Sequence, residues 1–154
     1  MCVIETTRLA LKRLTPDDAA FMLGLLNQPS FLENIGDRGV RTLEQARVYI
    51  ANGAVASYER HGFGLYLVVV KETGEVDIGF AFLPKHWGKG YAVESAAAVK
   101  VFAWDVARLS RLVAITSPEN WPSIRVLEKV GLVFEKMVRL SPEGEELKLF
   151  SCKM

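Results

Sequence analysis

Cysteine is nearly missing from this chain: Cys2 and Cys152 stand near opposite ends of 154 residues. Two such thiols make neither a disulfide framework nor a metal site, and free thiols fit a reducing cytoplasm, the expected location. Histidine is equally scarce. His61 and His86 have no acidic or nucleophilic partner placed by the sequence, and both are read as surface residues. An excess of one charge is also lacking, with 19 basic against 18 acidic residues and a net charge of +1. A nucleic-acid surface would normally show a basic excess, so no nucleic-acid partner is expected. The opening MCVIETTR has neither the basic nor the long apolar region of a secretory signal. The longest weakly polar stretch, residues 91–107, is broken by Glu94, Lys100 and Asp105, which rules against a membrane span. No repeat, low-complexity tract or linker stands out. With half its residues hydrophobic, the chain is expected to form one domain, 1–154.

The most informative segment runs over residues 76–102, VDIGFAFLPKHWGKGYAVESAAAVKVF. An apolar run ends at Leu83 and Pro84, a turn carries Gly88 and Gly90, and an alanine-rich helical pattern follows. A strand feeding a glycine turn that opens a helix is a device for gripping an anion. Glycine lets the backbone approach a ligand closely, and the first helix amides point outward without partners, backed by the macrodipole. Lys85 and Lys89 add positive charge. The reading is a site for a phosphorylated ligand. A P-loop is excluded because no GxxxxGK followed by Ser or Thr occurs. A dinucleotide fingerprint fails as well: its third small residue would fall at Val93, and the strand over 112–117 ends in hydroxyls rather than an acid.

The string KHWGKGYA resembles the Q/R-x-x-G-x-G/A signature of the GNAT superfamily of N-acetyltransferases. Residues 117–136, SPENWPSIRVLEKVGLVFEK, are similar to the NxxS-x-x-VLEKxGF segment of its RimJ/RimL-type branch. The start, ETTRLALKRLTPDDAAFMLGLLN, also looks like that branch, so the resemblance covers nearly the whole chain in the expected order. It implies acetyl-CoA as co-substrate, no metal, and an amine acceptor (a protein N-terminus or a small molecule). A homodimer is compatible with it. The resemblance places the cofactor on Phe82, Leu83, Lys85, Trp87, Gly88, Lys89, Gly90, Tyr91, Ala92, Asn120 and Ser123.

In chain order, residues 8–14 read as a strand, and Thr15-Pro16-Asp17-Asp18 starts a helix to about Asn27. Residues 28–41, with Pro29, Gly36 and Gly39, read as a long loop of the kind that often serves as a lid. Thr42 with Gln45 signals a capping box for a helix reaching about Glu59. Strands are expected over 63–71 and 76–83, with a turn at Thr73 and Gly74. The helix after the glycine turn keeps Glu94, Asp105 and Arg108 on a narrow polar side, and its three alanines, 96–98, suit close packing on a sheet. A strand over 112–116 leads to a helix capped by Ser117 or Asn120 and stopped at Gly131; strands over 132–140 and 147–154 finish the chain. The fold class is α/β (α+β), a GNAT-like mixed, mostly antiparallel sheet flanked by helices.

One departure stands out. The family runs three antiparallel strands before the glycine turn, and here only two are legible. The chain therefore reads as lacking one central strand, either a deletion form or a sequence without a segment of about a dozen residues (a strand of ~5–6 plus its loops). Strands joined by short turns alternate direction, so the loss demands rearranged pairing or a gap in the sheet, and a bare gap is costly.

The resemblance implies direct acetyl transfer in a ternary complex. The amine must lose a proton, the thioester oxygen needs a donor, and the departing thiolate needs a proton. Asp77, where many relatives carry an acid, is the candidate for the amine proton; a solvated acid at a strand start is the alternative. Glu119 is a weaker candidate, since an acid in a first turn also answers the helix dipole. Asn120 matches the asparagine that bonds the pantetheine arm, and it also suits a helix cap. Ser123 matches the serine near the thioester sulfur. Leu127 stands where many relatives have a general-acid tyrosine, which shifts that task to Ser123 or solvent. Lys85 keeps the charge of the usual Gln or Arg position without its fork. Trp87 and Tyr91 read first as packing, with cover for the ligand as the alternative. Arg125 near the 3′-phosphate and Trp121 at the acceptor entrance are weaker assignments. A CoA-binding protein without turnover, or an impaired deletion variant, is the competing reading.

Overall fold

A computed structural model describes residues 2–72, 76–78 and 82–153, with the backbone alone given for 76–78. The chain divides into two compact units, Met1–Ala98 and Val99–Met154.

The first unit is built on a four-stranded antiparallel sheet in the order β1 (Cys2–Glu5), β2 (Leu9–Arg13), β3 (Tyr66–Val70) and β4 (Val76–Ile78). Its centre is dry: Leu9, Leu11 and Val68 are fully buried, and Val70 and Leu67 nearly so. Each such side chain is worth about 1.5–3 kcal/mol relative to exposure. Strand β1 was not expected from the sequence; it pairs with β2 through an irregular register between Cys2 and Ile4.

Thr15 begins the next segment as expected. Its amide donates to the Asp18 carboxylate at 2.8 Å, and a 3-10 turn over Pro16–Asp18 leads into α1 (Ala19–Leu26). Residues 28–41 correct the loop expectation, because α2 (Pro29–Asn34) forms inside them. Pro29 occupies the first turn, where its missing N–H costs nothing, and Phe31 is buried. The end of this segment is tied to the end of α1. Asn27 Nδ2 donates to the carbonyls of Leu23 and Val40 at 2.8 Å each, and Arg41 donates to Asn27 Oδ1 at 3.0 Å.

Thr42 and Gln45 form the expected capping box: Gln45 N donates to Thr42 Oγ1 at 3.2 Å, and Thr42 N to Gln45 Oε1 at 3.1 Å. Helix α3 (Leu43–Ile50) then widens into a π turn over Ala51–Val55 and continues as α4 (Ala56–His61). Gly62, at φ 78°, stops it two residues beyond the expected end. The Tyr58 hydroxyl accepts from Leu14 N at 3.0 Å and donates to the Leu65 carbonyl, locking α4 against the ends of β2 and β3.

Strand β4 pairs directly with β3, Leu67 facing Ile78 and Val69 facing Val76, so no gap opens between these two strands. The expected strand over 76–83 is shorter, since Phe82 and Leu83 are not extended in the sheet. The turn at Thr73 and Gly74 lies outside the described residues. Helix α5 (Tyr91–Asp105) follows the glycine turn. It is half-buried rather than largely buried along its length, and Ala97 is exposed.

The second unit holds a separate antiparallel sheet in the order β5 (Arg111–Thr116), β7 (Leu147–Lys153), β6 (Val133–Val138). Helix α6 (Trp121–Lys129) ends in a Schellman motif: Leu132 N reaches the Leu127 carbonyl at 3.0 Å and Gly131 N the Glu128 carbonyl at 3.0 Å. Gly131 takes φ 83°, as its place at the helix end predicts, and Leu127 and Leu132 are buried. All pairings described in both sheets are antiparallel.

Candidate functional site

The glycine turn is built from the residues outward. A 3-10 turn over Pro84–His86 swings the chain away from the sheet, and Gly88 and Gly90 then adopt φ 73° and 81°. Left-handed glycines stand on either side of Lys89, a backbone conformation that anion nests use and that side-chain-bearing residues adopt only with strain. Among the described residues, no hydrogen bond leaves the amides of Gly88, Lys89, Gly90, Tyr91 or Ala92, and the first to find a partner is Glu94 N, on the Gly90 carbonyl at 3.0 Å. A β-carbon at Gly88 would meet nothing within 4 Å, so the turn faces open space. Residues 87–90 are exposed. Outward amides, a helix N-terminus and two flanking lysines are the donor set a diphosphate requires, so the residues present fit the group.

The surrounding side chains hold this turn in place. Trp87 is 54% exposed, contrary to a packing role, and its Nε1 donates to the Phe82 carbonyl at 2.6 Å. Tyr91 is buried, as the packing reading expects, and so is Phe82; their rings lie 6.4 Å apart. His86 corrects the expectation of a surface histidine: it is 3% exposed and packs 6.2 Å from the Tyr91 ring. The turn bends the chain back so that the residue between Lys85 and Trp87 faces inward. Leu83 is half-buried, Lys85 and Lys89 are exposed, and Ala92 is half-buried.

Arg8 is the residue that sequence reasoning missed. Its Nε and Nη2 reach Glu94 Oε2 at 2.7 and 2.6 Å, its Nη1 donates to the Lys89 carbonyl at 2.9 Å, and its guanidinium lies 4.8 Å from the centre of the Tyr91 ring. Glu94 is consequently not a solvated residue of a polar stripe; its side chain is 19% exposed. Burial pushes its carboxyl up, but hydrogen bonds from the Thr6 hydroxyl, the Arg8 amide and the Arg8 side chain outweigh this and hold it below the usual glutamate range. No local pattern signals a pair 86 positions apart.

Asp77 lies on β4 opposite Val68; its side chain is outside the described residues. In the second unit, Asn120 rather than Ser117 caps α6, its Oδ1 accepting from Ser123 N at 3.2 Å. Asn120 is buried and Ser123 half-buried. Leu127 is buried in its own unit's core, while Glu119 and Arg125 are exposed. Trp121 is 53% exposed, with Lys148 Nζ 4.7 Å from its ring centre. Among the described residues, no group of three His, Cys, Asp or Glu side chains could hold a metal ion, and no helix is long and apolar enough to cross a membrane.

Comparison with known proteins places these features in a family. Residues 8–133 match the acetyltransferase (GNAT) domain. The chain is 29% identical to the uncharacterized protein YkkB of Bacillus subtilis, with 88% of each chain covered. It is also 29% identical to the uncharacterized N-acetyltransferase YnaD of the same species, covering 93% of this chain and 90% of that one. The alignment with YkkB spans 154 positions but takes in 88% of these 154 residues, about 136, so about 18 positions are filled by the relative alone. Among solved structures, RimL, a ribosomal-protein acetyltransferase in complex with coenzyme A, superimposes with a TM-score of 0.83 at 14% identity, covering 100% of this chain and 98% of that one. At that identity the likeness carries the fold. The family match over most of its length makes the chain a member of the GNAT acetyltransferase family, with acetyl-CoA as its acetyl donor.

Proposed function

We propose that this enzyme is an N-acetyltransferase of the RimJ/RimL type, acting on a primary amine (a protein N-terminus or a small molecule) in a ternary complex. The observation that carries the binding half of this reading is the run of unpartnered amides from Gly88 to Ala92, which includes two left-handed glycines, Gly88 and Gly90. The diphosphate of CoA lies against those amides, with Lys85 and Lys89 supplying charge and Trp87 exposed beside the turn. Phe82, Leu83 and Tyr91 form the apolar support of this segment.

The chemistry follows from bond accounting. The amine nitrogen attacks the thioester carbon, the carbon–sulfur bond breaks, and the proton lost by the ammonium ends on solvent or sulfur. Asp77 takes the amine proton, directly or through water. Asn120 donates its side-chain amide to the pantetheine arm, and Ser123 donates to the leaving sulfur. These three roles rest on the resemblance of their positions to family motifs. The two free thiols support a cytoplasmic enzyme, and the balanced charge supports one without a nucleic-acid partner.

The test is thiol release. Acetyl-CoA is incubated with a panel of N-terminal peptides and small amines, and free CoA is titrated. Amine-dependent thiol with a matching acetylated product is the expected result. CoA-dependent thermal stabilisation without thiol from any amine would refute turnover while leaving the binding site in place.

A further inference from the structure

We propose that Arg8 is a positioning residue for cofactor binding, aiming the Gly90 amide at the diphosphate. The proposal rests on the reading of the glycine turn as the diphosphate cradle. A trans peptide unit is planar, with its C=O and N–H pointing in opposite directions. Arg8 Nη1 draws the Lys89 carbonyl toward itself at 2.9 Å, so the N–H of the same peptide, that of Gly90, is turned away from Arg8. Nη2 stands 3.4 Å from the point a Gly90 β-carbon would occupy, closing that side of the turn.

The guanidinium is itself fixed from three directions. Glu94 takes Nε and Nη2 through one carboxylate oxygen, and Tyr91 lies under the guanidinium plane. The other Glu94 oxygen accepts from Arg8 N at 3.1 Å and from the Thr6 hydroxyl. The Arg8 carbonyl accepts from Lys71 N at 2.9 Å, which anchors the residue to the sheet. All of these groups belong to the first unit. Each nitrogen of the guanidinium has one acceptor, and the Nη1 bond to the Lys89 carbonyl is the contact through which Arg8 acts on the turn.

Glu94 gives this proposal a test by sign. A carboxylate in the first turn of α5 repels an incoming diphosphate, so electrostatics alone predicts that its removal tightens binding. If Glu94 instead holds Arg8 in place, its removal weakens binding. Calorimetric titration of CoA into the intact chain, Arg8→Lys and Glu94→Ala decides between them. Both substitutions suit the local structure: lysine keeps the charge but lacks the fork, and alanine is favourable in a helix. Melting temperatures without ligand confirm folding at the titration temperature.

The expected result is an affinity loss of about tenfold in both variants, the weight of one hydrogen bond to a charged group. Amide NMR supplies a local signature. The Gly90 resonance moves downfield with CoA in the wild type and by much less in both variants, whereas Gly88 keeps its shift. Wild-type or tighter affinity in Glu94→Ala, or full rescue by lysine at position 8, overturns the proposal. Wild-type CoA binding that leaves both Gly88 and Gly90 resonances unmoved overturns the cradle reading itself and this proposal with it.

Discussion

Asn120 and Ser123 are joined by a hydrogen bond from the Ser123 amide to the Asn120 side-chain oxygen, 3.2 Å long, that caps α6. The bond occupies the oxygen and leaves the Asn120 Nδ2 as the group that can donate to a ligand. Two substitutions therefore separate structure from function. Asn120→Asp keeps a capping oxygen and removes the donor, so it should retain the melting temperature and weaken acetyl-CoA binding. Asn120→Ala should lose both, with about 1 kcal/mol of stability gone with the cap. Thermal melts and calorimetry on the two variants check this. Equal CoA affinity in Asn120→Asp and wild type would assign the residue to capping alone.

Gly131 closes the same helix at φ 83°, and a β-carbon there would sit 3.2 Å from Lys100 Nζ, which donates to the Val130 carbonyl at 2.7 Å. Gly131→Ala adds left-handed strain of about 1–2 kcal/mol. The melting temperature should fall by roughly 2–8 °C, at about 2–4 °C per kcal/mol for a chain of this size.

The Glu94 carboxyl is held below its usual range by Thr6 and Arg8 against the opposing effect of burial. A carboxyl depressed on folding stabilises above its unfolded pKa, and that contribution is lost as pH falls through the lower, folded value. Wild-type stability should therefore decline below about pH 4.3, the ordinary glutamate value. Glu94→Gln should be less stable at neutral pH and show a shallower acid decline, measured by urea unfolding between pH 3 and 7. Parallel curves would mean that the carboxylate contributes nothing through ionisation.

Asp77→Asn should lower turnover with little change in CoA affinity, with the largest loss below the acceptor's pKa, where the amine must first shed a proton. Rates measured across pH check this. An unchanged profile would hand the proton to water or to another group.

The features readable from sequence were those whose physics is local. The Thr42–Gln45 box, the Asn120 cap and the Gly131 stop each involve residues three to five apart, and each folded as its letters imply. The glycine turn was legible for the same reason. Pro29 misled because a proline reads as a breaker until its place in a helix's first turn is known. His86 misled because a polar residue in a short turn carries no sign of the Tyr91 ring it will pack against. Arg8 was invisible as a partner of Glu94: only the folded sheet brings the start of β2 to the first turn of α5. The short spacing before the glycine turn read as the loss of a strand, while the direct pairing of β4 on β3 was not legible.

The central claim is that amides of the glycine turn cradle the diphosphate of CoA, and Gly90→Glu tests it most directly. The substitution puts a side chain on a residue at φ 81° and a negative charge against the ligand. Calorimetry should show saturable CoA binding to the wild type and none to the variant, with both chains folded by circular dichroism. A folded Gly90→Glu chain that binds CoA with wild-type affinity would contradict the account.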